Sequence, residues 1–136
     1  MTARCLPGPR LYDLKDYDLL YVGTPYTRYK GGIDAAFRDA CKVTARLVAA
    51  GINVYSPIAH THPIAIHGGL DPLDLTLWLD FDAAMMMKAD GMIVARMDGW
   101  ERSSGVQHEI DVFTAANKPV FHLNCATLEV IAQEFA

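Results

Sequence analysis

Short apolar runs alternate with segments of helical periodicity along the chain, and this alternation restricts the possible folds more than any other feature. The strand-like runs are LLYVG at 19–23, INVYSP at 52–57, GMIVARM at 91–97 and KPVFHLN at 118–124. Between them, apolar residues recur every three or four positions, as on the buried face of a helix. Strands that alternate with helices form a parallel sheet with helices on both faces. We therefore predict an α/β fold of three layers around a mostly parallel sheet of four to five strands.

The remaining segments are assigned from helix signals and turn-forming residues. Apolar spacing over 33–51 predicts a helix that stops at Gly51. The segment 58–74 contains two prolines and two glycines and predicts a long loop. A helix should follow from Pro72 or Leu73 to Lys88, with Asp71 as its cap. TLEVIAQEF at 127–135 predicts a closing helix.

The chain length corresponds to one ordinary domain. It has 136 residues, of which 51% are hydrophobic, enough for a real core. Residues 1–17 contain a Pro-Gly-Pro turn followed by mixed charges, and predict a loose N-terminal arm. Residues 18–136 then form the single domain.

Charge and cysteine usage exclude several kinds of protein. The chain has 12 basic and 16 acidic residues. The basic residues form no basic face and no ladder with aromatic residues, so we expect no nucleic-acid polymer as partner. Cys5, Cys41 and Cys125 lack metal-ligand spacing and are interpreted as reduced thiols of a cytoplasmic protein. No signal peptide opens the chain, and no apolar run approaches the roughly 18 residues of a membrane span, so no membrane partner is expected.

Ligands of open parallel sheets bind beyond the carboxyl ends of the strands. In this chain those ends lead into the loops after Gly23, Ser56 and Met97, and into the residues from Asn124. The first loop lacks the G-x-x-x-x-G-K-[ST] order of a P-loop. It does place Tyr26 and backbone N–H groups at the sheet edge, although Tyr26 is equally compatible with plain loop packing.

Three carboxylates lie on helix faces that also carry apolar residues. Glu109 stands at the edge of the apolar stripe of the helix that follows SSG, where it is either a functional group or an ordinary helix glutamate. Asp82 has apolar neighbours one and two turns away, and Asp80 cannot be set aside from the pattern alone. Desolvation would raise the pKa of Asp82, whereas the N-terminal helix dipole is expected to keep Glu109 ionised. Two such carboxylates on different elements suit glycosyl chemistry.

The Ser103-Ser104-Gly105 turn opens the helix that carries Glu109. Ser104 is a plausible N-cap, with Gln107 as its capping-box partner. Free N–H groups and the helix dipole at such a terminus favour a phosphate or a carboxylate. The alternative is that the serine only caps the helix.

The segment HTHPIAIH supplies His60, His62 and His67. A zinc site needs three or four ligands in defined geometry, and His-x-His without cysteine or carboxylate partners is weak evidence for one. We therefore predict no metal. We expect the loop to shape a pocket at the sheet edge, which makes His60 a candidate for ligand contact.

Several segments taken together resemble the nucleoside 2-deoxyribosyltransferase superfamily. They are YVGTPYT at 21–27, Asp82 ahead of ADGMIV, and DGWERSSGVQHEI followed by KPVF. The resemblance covers about residues 18–124. Within the superfamily the chain is most similar to a small bacterial and phage branch known as a domain of unknown function, which shares the GW…S.G…E segment and the SP…HP loop. The Trp100-Glu101-Arg102 turn and the His-rich loop differ from the characterised enzymes, so the base specificity is left open.

The resemblance implies a flavodoxin-like or Rossmann-like fold and an assembly of two or more subunits. Enzymes of the superfamily cleave the N-glycosidic bond of 2-deoxynucleosides or of their 5′-monophosphates, without a cofactor. Glu109 falls on the position of the nucleophile and Asp82 on that of the group that acts on the base. Ser103 falls on the serine that binds the 5′-phosphate, and the first-strand loop that holds sugar and base corresponds to Gly23, Thr24, Pro25 and Tyr26.

The leading hypothesis is an N-glycosidase or deoxyribosyltransferase that acts on a nucleoside or nucleotide through Glu109. The alternative is a non-catalytic nucleotide-binding or sensing module on the same fold. The segment LTLWLDFDAAMMMK at 75–88 is apolar nearly all round, which is typical of a helix covered on more than one side. In a chain this small it predicts a homodimer or larger assembly.

Overall fold

The computed structural model describes residues 9–132. Its strands are β1 (Leu20–Gly23), β2 (Val54–Tyr55), β3 (Gly91–Ala95), β4 (Val120–Leu123) and β5 (Val130–Ala132). Its α-helices are α1 (Ile33–Ala49), α2 (Pro57–Gly68), α3 (Leu75–Lys88) and α4 (Ser104–Ala115). Short 3-10 helices occupy Leu11–Asp16 and Trp100–Arg102.

The five strands form one sheet in the order β2-β1-β3-β4-β5. The first four run parallel, and β5 pairs antiparallel with β4. The order reverses between β1 and β3, which is the ligand-binding switch point of flavodoxin-like sheets. The predicted α/β sandwich with a mostly parallel sheet is confirmed.

Alternating side chains of the central strands enter two separate cores. On one face Leu20 and Val22 pack with α1 and with Leu14 of the first 3-10 helix. On the other face Tyr21 packs with residues of α3 and α4, Phe113 among them. Since β1 is buried on both faces, the alternation decides which of its residues meets α4, and that residue is Tyr21.

Several local predictions are wrong. The segment 58–74 is mostly helical, because Ser56 Oγ accepts a hydrogen bond from Ala59 N and Pro57 takes the first helical position, where its missing N–H costs nothing. Helix α3 begins at Leu75, and its cap is Asp74, whose carboxylate accepts from Leu77 N. Helix α4 is capped by Ser103 instead of Ser104.

Both ends of the described chain also differ from expectation. Residues 11–16 are not a loose arm, because they form a 3-10 helix whose Leu14 is fully buried. The predicted closing helix is replaced over its described part by β5, since a turn at Asn124 and a positive φ of 62° at Leu128 reverse the chain. Residues 133–135 of that prediction, and Cys5, lie outside the described residues.

None of the helices within residues 9–132 combines the length and the apolar character that crossing a bilayer requires.

Candidate functional site

A pocket of about 590 Å³ opens at the switch point between β1 and β3. Its walls are the loop after β1, the first three turns of α3, and the loop and first turns that lead into α4. Eight of the residues predicted from the sequence line it: Thr24, Pro25, Tyr26, Asp82, Ser103, Ser104, Gly105 and Glu109. Residues from distant parts of the chain thus converge where this class of sheet binds ligands.

Three other predicted residues are placed differently. Gly23 lies beneath the pocket, next to the Glu109 carboxylate. His60 is outside the pocket lining and stacks on Phe81 with ring centroids 5.7 Å apart. The side-chain oxygen of Asn124 accepts hydrogen bonds from Ala126 N and Thr127 N, so this residue shapes the turn after β4, away from the pocket.

The Glu109 carboxylate is held by a side chain that the sequence reading overlooked. The Tyr21 hydroxyl donates a hydrogen bond of 2.6 Å to Glu109 Oε2. Burial, and then the negative charges of Glu109 and Asp82, raise the pKa of Tyr21 far above its usual value, so the hydroxyl keeps its proton and remains a donor. This contact fixes the carboxylate on its helix. The only sequence signal for it is a tyrosine in an otherwise aliphatic strand.

The close approach of β1 to Glu109 depends on a glycine. A Cβ at Gly23 would overlap Met92 Cε and would stand 3.1 Å from Glu109 Oε1. Met92 is itself fully buried, so its end has little room to move. Because position 23 has no side chain, the Glu109 carboxylate can lie directly beside β1.

Asp82 enters the pocket from α3, on the helix face that also carries Leu75, Trp78, Leu79 and Met86. Its Oδ1 atom is buried and has no hydrogen-bond partner within residues 9–132, and the same holds for Thr24 Oγ1 in the pocket wall. Buried polar atoms are nearly always paired, so these two oxygens mark places in the pocket wall where a hydrogen-bond partner is lacking. Asp80 is exposed and does not line the pocket.

Burial raises the pKa of both pocket carboxylates. The pKa of Asp82 rises to about 6 through desolvation. Desolvation raises the pKa of Glu109 to about 8; the Tyr21 hydrogen bond lowers it, and the charge of Asp82 raises it further. The expectation that the helix dipole keeps Glu109 the more acidic of the two is wrong. Desolvation raises the pKa of Glu109 more than that of Asp82, and it outweighs the dipole.

The N-terminus of α4 gives the pocket a polar end. Ser103 Oγ accepts a hydrogen bond from Val106 N at 3.2 Å, which leaves the hydroxyl proton of Ser103 available as a donor. Arg28 and Arg102, both exposed, line the same pocket and add positive charge. A helix terminus with two nearby guanidinium groups is suited to an anion. From the sequence, Arg102 is predicted only to belong to a turn that alters the pocket.

The opposite wall is apolar and aromatic. Trp78 is fixed by a hydrogen bond of 2.9 Å from its Nε1 to Asp71 O, and Leu75 and Leu79 flank it on α3. A flat aromatic ring in the ligand would find its stacking surface here. Within residues 9–132, no three His, Cys, Asp or Glu side chains converge as metal ligands.

The fold and the pocket together define a flavodoxin-like α/β domain that holds two half-buried carboxylates at its switch point. The chain belongs to the family described as Domain of unknown function (DUF1937), whose model matches residues 18–125. The matched region includes every wall of the pocket. No curated protein matches the chain.

Proposed function

We propose that the chain is a member of the nucleoside 2-deoxyribosyltransferase superfamily and cleaves the N-glycosidic bond of a 2-deoxynucleoside 5′-monophosphate. One observation carries this proposal: the half-buried Glu109 carboxylate, held by Tyr21, shares a pocket with Asp82 and its unpartnered oxygen. A purely binding site for an anion gains nothing from two desolvated carboxylates, because each disfavours the negative charge of the ligand.

In the proposed reaction Glu109 is the nucleophile. Its carboxylate forms a bond to C1′ as the bond from C1′ to the base nitrogen breaks, and the departing base takes a proton from Asp82. Water, or a second base in a transfer reaction, then attacks C1′ while its proton passes to the Asp82 carboxylate, and the bond from C1′ to Glu109 breaks. Proton and electron pair balance at each step without a metal or a redox cofactor.

The pKa values of the two carboxyl groups support a shared proton. Between about pH 6 and pH 8 the pair holds one proton, which in the free protein lies on Glu109. Glu109 must lose this proton before it attacks, and Asp82 is the pocket base that takes it up and delivers it to the leaving group. The pair is therefore active in its singly protonated state.

The polar end of the pocket favours a nucleotide over a nucleoside. The Ser103 hydroxyl and the N-terminus of α4 are proposed to bind the 5′-phosphate, with Arg28 and Arg102 as counter-charges. Trp78 and its leucine neighbours would then take the base. In this orientation the sugar lies between the two ends, beside Glu109.

Assembly is proposed on independent grounds. Leu77, Phe81 and Met87 of α3 are 41%, 39% and 74% exposed, which is unusual for large apolar side chains on one helix. We infer that a second copy of the chain covers α3 and closes the pocket that Leu75 and Leu79 border. The free thiols of Cys41 and Cys125 are consistent with a cytoplasmic location.

A panel of 2-deoxynucleosides and their 5′-monophosphates, with free base measured by chromatography, tests the activity. The wild-type protein should release base from at least one monophosphate, and Glu109→Gln should release none while still binding it. Asp111→Asn, which removes an exposed carboxylate from the same helix, is the matched control and should behave as wild type. Tight nucleotide binding without base release would instead favour a non-catalytic sensing module.

A further inference from the structure

His62, the middle member of the His-rich segment, connects the pocket to helix α1. It lies on α2 and is only 5% exposed. Its Nδ1 is 2.6 Å from the hydroxyl of Tyr26, a residue of the pocket wall. Its Nε2 is 3.6 Å from Asp34 Oδ1, and its ring stacks on Phe37 with centroids 4.6 Å apart. A buried imidazole between a carboxylate and a pocket hydroxyl can determine whether that hydroxyl donates or accepts a hydrogen bond, in addition to its packing role.

The neighbours of the imidazole decide which nitrogen carries the proton. The Asp34 carboxylate faces Nε2 and favours the tautomer with its hydrogen there. In a neutral imidazole with its hydrogen on Nε2, Nδ1 is an acceptor, and the hydrogen bond of 2.6 Å is then donated by the Tyr26 hydroxyl. Because the Tyr26 hydroxyl donates its only proton to His62, its oxygen can act only as a hydrogen-bond acceptor towards the pocket.

We propose that His62, oriented by Asp34 and Phe37, is a positioning residue that makes the Tyr26 hydroxyl a hydrogen-bond acceptor for the bound molecule. The ligand group that it recognises is a neutral donor, either a sugar hydroxyl or an amine or ring N–H of the base. A carbonyl oxygen or phosphate oxygen at the same place is rejected, because it would face lone pairs on Tyr26 with no hydrogen between them. This specificity role rests on the proposed function, since it assumes that a nucleotide occupies the pocket.

Substitutions separate this role from plain packing. His62→Phe keeps the ring that stacks on Phe37 but removes the acceptor from Tyr26. His62→Asn loses the ring, and its side-chain oxygen can stand near the position of Nδ1 and restore the acceptor. Tyr26→Phe removes the hydroxyl alone. If His62 acts through that hydroxyl, Tyr26→Phe and His62→Phe each weaken binding by about 5- to 20-fold. The double variant is then no weaker than Tyr26→Phe.

Calorimetry with the four 2-deoxynucleoside 5′-monophosphates, in a Glu109→Gln background that prevents turnover, measures these affinities. Recovery to within about threefold of the parent in His62→Asn supports the proposal. Losses that multiply in the double variant, or His62→Asn as weak as His62→Phe, would overturn it.

A second measurement does not depend on any nucleotide. Long-range ¹H–¹⁵N NMR of the imidazole groups reports the tautomer of His62 in the wild-type protein. The expected result is a proton on Nε2 and none on Nδ1, and a protonated Nδ1 overturns the proposal whatever the pocket binds. If no nucleotide binds while His62 has the expected tautomer, the proposed function fails. Tyr26 would then still be a hydrogen-bond acceptor, but for a different ligand.

Discussion

Replacing Glu109 by glutamine should stabilise the protein at high pH, and the gain should disappear at low pH. The folded protein raises the pKa of Glu109 from 4.5 to about 8. Between these two values the folded state binds a proton that the unfolded state has released, so stability falls as the pH rises across this window. Glutamine keeps an oxygen that accepts from Tyr21, but it has no charge to bury.

The size of the effect follows from the pKa displacement. Each pH unit between folded and unfolded pKa values corresponds to about 1.4 kcal/mol. Ionising the desolvated Glu109 therefore lowers the free energy of unfolding by on the order of 3–5 kcal/mol at pH 9, a large part of the stability of a small domain. At pH 5 the carboxyl group is protonated in the folded protein, and wild type and variant should differ little.

Urea unfolding of wild type, Glu109→Gln and Asp111→Asn at pH 5 and pH 9 provides the assay. Glu109→Gln should exceed wild type by several kcal/mol at pH 9 only, whereas the exposed Asp111 should give a small difference at both pH values. A variant no more stable than wild type at pH 9 would show that Glu109 is not desolvated, and the proposed role of a desolvated catalytic carboxylate would be wrong.

Four further outcomes are expected. The kcat/KM profile should be bell-shaped, rising near pH 6 and falling near pH 8, because the carboxyl pair must hold one proton; a flat profile over that range rules this out. Gly23→Ala should lower stability by about 1–3 kcal/mol in urea unfolding, since its Cβ overlaps Met92 and presses on Glu109; an unchanged midpoint would refute the close approach. Ser103→Ala should weaken calorimetric binding of monophosphates by about 0.5–1.5 kcal/mol but leave nucleosides unaffected, with Ser103→Thr as control; equal losses would leave the serine only a cap. Met87→Glu should yield a monomer in sedimentation, and a wild type that is monomeric at all concentrations would exclude the dimer.

The sheet was predictable because its strands are short, apolar and separated by helical patterns. Burial on both faces removes the polar alternation of a surface strand, and LLYVG and GMIVARM show this directly. The sequence pattern does not predict helix α2, because Pro63, Gly68 and Gly69 are typical helix breakers. In the folded protein Gly69 ends the helix in a left-handed conformation, and Pro63 is accommodated within it.

The site was predictable to the extent that chemistry-bearing residues follow strand ends. Glu109, Asp82 and the SSG turn meet in one pocket, as the parallel sheet requires. Two kinds of information were missing from the sequence. The pairing of Tyr21 with Glu109 depends on which face of β1 meets α4. The higher pKa of Glu109 depends on the depth of its burial, which no local pattern reports.

The stereochemistry of cleavage tests most directly whether Glu109 forms a covalent intermediate. If the protein is incubated with its 2-deoxynucleoside 5′-monophosphate in water containing methanol, methanol competes for C1′ and traps a methyl glycoside whose configuration NMR can assign. Two successive displacements at C1′ retain the β configuration of the substrate. We therefore expect the β-methyl glycoside, formed by wild type and not by Glu109→Gln. The α-methyl glycoside, or equal yields from both proteins, would contradict a glutamate nucleophile.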